Sequence, residues 1–133
     1  MHRDLLERLE NIRMAIERLF QRNECIISAD DYYRSPLGME KLESSSMLLI
    51  AIGESLKGID RITGGDFLPH YPSVNWKQAK GLRDVIAHNY FQLDGEIILD
   101  TIRNDIPIML KTVNQMIEDV ECKKDLFKGK PLK

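Results

Sequence analysis

The chain has 133 residues, of which 43% are apolar and 30% charged, with a formal net charge of −2 at pH 7. That length suits one domain around one core, and the composition is too apolar for a disordered chain. The slight acidity excludes a globally basic coat for nucleic acid, so any such contact has to come from a local patch.

The longest apolar run, Met47 to Ile52, is far short of the roughly 20 residues that a membrane-spanning helix needs. The start, Met1-His2-Arg3-Asp4, leads into a charged segment without the apolar centre of a signal peptide. Both features predict a cytoplasmic protein with no membrane contact. Cys25 and Cys122 are expected as reduced thiols rather than a disulfide, because no secretion signal accompanies them. No CxxC or HxxxH spacing occurs, and His2, His70 and His88 are scattered. No metal centre and no cofactor is therefore predicted.

Leu5, Leu9, Ile12, Ile16 and Leu19 recur at alternating four- and three-residue steps, with Leu6 and Phe20 beside them. This pattern predicts an amphipathic helix ending near Arg22, with Cys25 filling space just beyond it. Ser28 and Asp31 resemble a capping box that starts a short turn of helix through Tyr33. Ser35-Pro36 reads as N-cap and first position of a second helix. That helix would carry Leu42, Leu49, Ile52 and Leu56 inward, with Ser45, Ser46, Ala51 and Gly53 as small neighbours, and end near Gly58. Asp60 to Asn75, with Gly64-Gly65, Pro69 and Pro72, reads as a long loop of the kind that is often functional, with His70 exposed on it. Asn75 can cap a third helix with Trp76, Ala79, Leu82 and Ile86 as its inner face.

Gln92 to Asp94 turns the chain, and Asp94 caps a fourth helix. Its inner face would be Ile98, Ile102, Ile106, Met109, Val113, Ile117 and Val120, with Pro107 kinking it or sitting at an inward bend. Residues 123–133 hold five lysines and one aspartate and are expected to form a flexible basic tail. No segment insists on a strand. The prediction is an all-α antiparallel bundle of four main helices with an extra short helix, a single domain over residues 1–122.

The one concentrated group of functional side chains is Arg83-Asp84-Val85-Ile86-Ala87-His88-Asn89-Tyr90. Arginine offers a planar fork of donors suited to phosphate. Histidine, with an ordinary pKa of about 6.5, gives and takes protons near neutrality. Lys77, Lys80 and Arg83 step by three and can form a basic strip beside Trp76, Tyr90 and Phe91, which would suit a nucleic-acid backbone with unstacked bases. A solvated face, with Trp76 and Phe91 in the core, would give the same pattern. At about 100° per residue, Arg83 and His88 stand roughly 140° apart on a continuous helix, whereas Asp84 and His88 share a face. Asp84 is thus the natural partner to orient the imidazole. To meet on one phosphate, Arg83 and His88 need a helix that ends near Ala87, or a second copy of the motif across a twofold axis. A helix-terminal histidine favoured by the dipole, with Arg83 and Asp84 as surface charges, stays open on these residues alone. Glu54, beside Gly53 on the buried second helix, could pair with Arg83 or with a basic residue across a dimer.

The arginine, four residues, histidine, one residue, tyrosine pattern of Arg83, His88 and Tyr90 resembles the signature of the HEPN superfamily. Within it the chain is similar to the HepT-like ribonuclease toxins of toxin–antitoxin pairs. Ile52-Gly53-Glu54-Ser55, Trp76, Gly81-Leu82-Arg83-Asp84, Tyr90-Phe91 and Asp105-Ile106-Pro107 agree with that resemblance, which runs over roughly Leu5 to Val120. Ser44-Ser45-Ser46 departs from it, since relatives often carry a basic residue and larger apolar ones there. The resemblance implies a homodimeric, metal-independent endoribonuclease, with higher assembly open. Arg83, His88 and Asp84 would be catalytic, and Asn89, Tyr90, Lys80 and Lys77 would contact the RNA. It also implies a nucleotidyltransferase (MNT-type) antitoxin that silences the toxin by attaching AMP to Tyr90. The alternative of another class is a non-catalytic helical dimer that binds its nucleotidyltransferase partner and RNA or nucleotide. A bundle holding a small cofactor has little support, since the methionines and aromatics fall at core spacing.

Overall fold

In a computed structural model, residues 2–88 and 92–122 are described, with the backbone alone for His2, Ala87 and His88. The first helix, α1, spans His2–Arg22. Leu5, Leu9, Ile12, Ile16 and Leu19 on its inner face are at most 1% exposed. Burying each of these side chains contributes about 1.5–3 kcal/mol, so this stripe fixes which way the helix faces. A short 3-10 turn follows at Ala29–Tyr32. The Asp31 carboxylate accepts from the Ile27 and Ser28 N–H groups, at 2.8 and 3.2 Å. These two N–H groups hold the Asp31 pKa below its ordinary value, and the nearby Arg34 and Arg103 lower it further.

The second helix, α2, spans Pro36–Thr63, and the Ser35 hydroxyl accepts from the Gly38 N–H as its N-cap. It runs past the expected end at Gly58, which instead marks a close approach: a Cβ there would overlap the Arg8 guanidinium. The stop comes at Gly64 and Gly65, whose φ of 66° and 80° is the left-handed conformation that glycine adopts without cost. Ser45 and Ser46 are buried as expected, but Ala51 is exposed. Asn23 donates to Ser45 Oγ and to the Leu19 carbonyl, and accepts from the buried Tyr32 hydroxyl. Asn23 and Ser45 therefore tie the α1 terminus and the 3-10 turn to α2, while the Ser46 hydroxyl donates to the Leu42 carbonyl of its own helix.

The segment between Gly64 and Asn75 is packed rather than open. Phe67, Leu68 and Tyr71 are buried, a 3-10 turn covers Leu68–His70, and His70 is exposed. The Trp76 indole N–H donates to the Tyr71 carbonyl, and the Tyr71 hydroxyl donates to Asp119 at 2.7 Å. The expected third helix is two pieces, α3 at Trp76–Lys80 and α4 at Leu82–His88. Between them the Gly81 N–H is shared by the Lys77 and Gln78 carbonyls. A residue with low helix propensity tightens the rod there instead of continuing it.

The fourth helix begins as α5, Gly95–Asp100, capped by the Asp94 side chain. One π-helical turn, Thr101–Asp105, then leads into α6, Ile106–Glu121. Pro107 lies in the first turn of α6, and the Ile106 N–H reaches back five residues to the Thr101 carbonyl. The wide turn accommodates the missing proline donor, so the expected kink takes the form of a π-bulge. All seven expected inner residues of this helix are buried.

Contacts fix the directions of the helices. Asn23 meets Ser45 and Arg8 lies at Gly58, so α1 and α2 are antiparallel. Arg13 donates to Asn114, and Arg103 donates to the Ile26 and Ile27 carbonyls, so α1 and α6 are antiparallel as well. Cys25 is exposed rather than space-filling, as is Cys122. The two cysteines stand at opposite ends of the bundle, apart by about the 30 Å length of α1. A disulfide between them within one chain is excluded by distance. Among the described residues there is no strand, and no helix is long and apolar enough to cross a membrane.

Candidate active site

The site is built where the rod of α3 and α4 leans on α2. Gly53 makes that approach close: a Cβ there would stand 3.1 Å from the Ala79 carbonyl oxygen. Leu82 and Ile86 anchor α4 to the core, and Arg83, Asp84 and Val85 are exposed. Arg83 Nη1 lies 3.4 Å from Glu54 Oε1, with the two side chains 54% and 42% exposed. Lys57 Nζ approaches the other carboxylate oxygen at 3.2 Å. Glu54 thus meets the arginine within one chain, the first of the two pairings the sequence left open. An ion pair this exposed contributes at most about 1 kcal/mol to stability. Its consequence is positional, since it restrains a guanidinium that remains open to solvent.

Lys80 is engaged within the chain. Its ammonium is bound to Asp60, with both side chains about a quarter exposed. Of the basic strip, Lys77 alone is exposed without an ion pair or hydrogen bond among the described residues. Asp84 stands exposed in the first turn of α4. His88 closes that helix. Its side chain, like Asn89, Tyr90 and Phe91, lies outside the described residues, as does the tail at 123–133. Residues 83 and 88 both fall on α4, near its start and at its last position. Beyond the motif, Tyr33 fixes the start of α5. The Tyr33 hydroxyl donates to the Leu93 carbonyl at 2.7 Å and accepts from the Gly95 N–H at 2.9 Å.

A family model described as "Ribonuclease HepT-like" matches residues 3–116. The chain belongs to the HepT-like ribonuclease family. A Caldanaerobacter subterraneus protein named "Putative RNase" is 31% identical over 110 residues, covering 83% of this chain and 91% of that one. A Methanocaldococcus jannaschii protein of the same name is 38% identical over 73 residues, covering 55% of this chain and 57% of its own length. A Thermococcus cleftensis protein named "Probable ribonuclease HepT" is 34% identical over 56 residues, 42% of this chain and 47% of that one. The chain thus spans about half the length of two of these three relatives. No solved structure matches it.

For this HepT-like chain the sequence reading missed Lys57 and Asp60. The signal was present in the spacing: Glu54, Lys57 and Asp60 step by three along α2, as Lys77, Lys80 and Arg83 do along α3 and α4. The two rows do not pair position by position: Glu54 meets Arg83 and Asp60 meets Lys80, while Lys57 turns back to Glu54 on its own helix.

Proposed function

We propose that the protein is the toxin of a two-component pair, a metal-independent endoribonuclease that cuts RNA by internal transesterification. The ribose 2′-oxygen attacks the adjacent phosphorus and the bond to the 5′-oxygen breaks, leaving a 2′,3′-cyclic phosphate and a 5′-hydroxyl. One proton leaves the 2′-OH and one reaches the departing oxygen. His88 serves as general base or acid in these transfers, worth about 10²–10⁴-fold. Arg83 binds the phosphate and stabilises the charge gathered on it in the transition state. Asp84 orients His88, Lys77 adds phosphate attraction, and Asn89 and Tyr90 contact the substrate.

The observation that carries this reading is an exposed, restrained Arg83 set five helical positions before His88 in a chain of a ribonuclease family. On a continuous helix the two positions would stand about 140° apart, so the reading takes the active unit to be a homodimer in which two copies of the motif line one groove. A nucleotidyltransferase antitoxin transfers AMP from ATP to the Tyr90 oxygen, with pyrophosphate leaving and the phenol proton lost, and the added anion excludes RNA by bulk and charge. The protein acts in the cytoplasm. In the test, purified protein degrades RNA in excess EDTA and the His88→Ala protein does not. Full activity in that variant, or complete loss with EDTA in the wild type, discards the mechanism. The Arg83–Glu54 contact favours one other reading, in which Arg83 is structural and the protein only binds RNA and its partner. RNA affinity without turnover, unchanged by His88→Ala, selects that one.

A further inference from the structure

A second feature lies on the other flank of the α3–α4 rod, away from Glu54. There α3 and the start of α4 face the π-helical turn and α6 across a cleft of about 460 Å³, counting the part open to solvent. Ala79, Leu82, Ile106 and Met109, all at most 9% exposed, form its floor. Asn75, Gln78 and Asp105 are exposed at its rim. The other hydroxyls in the cleft are occupied, Ser73 with Thr112 and Thr101 with the Ile97 carbonyl. Asn75 Oδ1 accepts from the Gln78 backbone N–H, which leaves the Asn75 amide NH₂ as a donor. The Gln78 carboxamide and the Asp105 carboxylate have no hydrogen bond or ion pair among the described residues.

An apolar floor with a few convergent polar groups at the edge is the form of a small-ligand site. The mixture selects the ligand class. A flat group with apolar faces and a hydrogen-bonding edge suits the floor and rim together, and a splayed-out base of single-stranded RNA presents both. A carboxylate only accepts, so it favours a base that offers two adjacent donors, as guanine does with its ring N–H and exocyclic amine. The carboxamides of Asn75 and Gln78 can then serve the guanine carbonyl and ring nitrogen. Lys77 precedes Gln78 on α3 and is exposed. A strand with a phosphate at Lys77 passes beside Gln78 at the rim of the cleft.

We propose that this cleft is a guanine-recognising subsite for the RNA strand, a claim that rests on the nuclease reading above for its substrate. Fluorescent hexanucleotides that differ only in carrying G, A, C or U at one position provide the test, each measured for binding and for cleavage in EDTA. The wild type should prefer the guanine hexamer by about five- to a hundredfold, the usual value of one bidentate base contact. Asp105→Asn and Gln78→Ala should each reduce that preference while leaving the other hexamers within about twofold. Asn keeps the shape of the aspartate, and Gln78 is exposed, so both variants should melt with the wild type. Cleavage without base preference, a preference for another base, or a guanine preference that survives both variants overturns the subsite and leaves the nuclease reading intact. Guanine-dependent binding lost in Asp105→Asn, with no hexamer cut, keeps the subsite and overturns the nuclease reading. Neither binding preference nor cleavage overturns both.

Discussion

Replacing Gly53 with valine tests whether the distance between α2 and the α3–α4 rod matters. An ideal Cβ at Gly53 stands 3.1 Å from the Ala79 oxygen, 3.6 Å from the Lys80 oxygen and 3.9 Å from the Lys80 Cα. All three are backbone atoms, so no flexible side chain can swing aside. Leu49, Ile52 and Leu56, within about 100° of Gly53 around α2, are at most 1% exposed, so a retreat of α2 would pull them out of the core. The rod has to move outward, and the two γ-methyls add to the displacement. Overpacking of this kind costs about 1–3 kcal/mol. With an unfolding entropy of about 2.1 cal/mol/K per residue, a cost of about 2 kcal/mol lowers Tm by about 7 °C. Enough stability remains for the protein to fold at 25 °C. Arg83 is nonetheless carried away from Glu54, and a misplacement of about 1 Å costs up to roughly a hundredfold in rate. Thermal unfolding by circular dichroism and RNA cleavage at 25 °C should therefore both fall, cleavage by at least about tenfold. Gly53→Ala should change stability by less than about 1 kcal/mol, since its gain in helix propensity offsets a milder contact. A Gly53→Val protein that melts and cleaves like the wild type would refute the claim that this contact sets the site.

Arg83→Lys should keep stability within about 0.5 kcal/mol, because the exposed Glu54 pair is weak. It should lower cleavage by roughly 10²–10³-fold, because a point charge cannot replace a forked donor at the phosphate. Lys77→Ala should weaken RNA binding and flatten the slope of log affinity against log salt by about 0.7. Lys80→Ala should leave that slope nearly unchanged, since its ammonium is held by Asp60. Alkaline unfolding should begin near pH 10. Burial pushes the Tyr32 phenol up to about 12, and burial together with Asp119 pushes Tyr71 higher still. Both phenols thus favour the folded state fully below pH 10, and that contribution is lost as pH rises and the unfolded chain ionises first. The limiting slope is about 1.4 kcal/mol per pH unit for each phenol. Urea midpoints that stay flat from pH 9 to 11.5 would contradict it.

How much was legible in the chain varies with the range of the physics involved. The inner faces of all four main helices were readable, because helical periodicity reports burial directly: every inward residue expected from Leu5 to Val120 is buried. The caps at Ser35, Asn75 and Asp94 were readable too, since each side chain reaches only two or three residues along its own chain. The end of α2 was misread because Gly58 and Gly64 look alike in sequence. One serves a neighbouring guanidinium and the other a left-handed cap. The break at Gly81 was missed because the helical pattern of buried residues continues through it.

The order of residues alone determined the helical class, the core stripes, and the run that holds Arg83, Asp84 and His88. Those depend on interactions within a few residues, which one chain encodes by spacing. Tertiary structure decided which charges are spoken for. Lys80, indistinguishable from Lys77 in sequence, meets Asp60, and Arg83 meets Glu54. It also decided that the long loop is a packed aromatic wedge, and that a cleft opens beside the π-turn with Asn75, Gln78 and Asp105 at its rim. The physical reason is that pairing and enclosure depend on which elements lie side by side. That arrangement is set by the packing of the whole core rather than by any one segment.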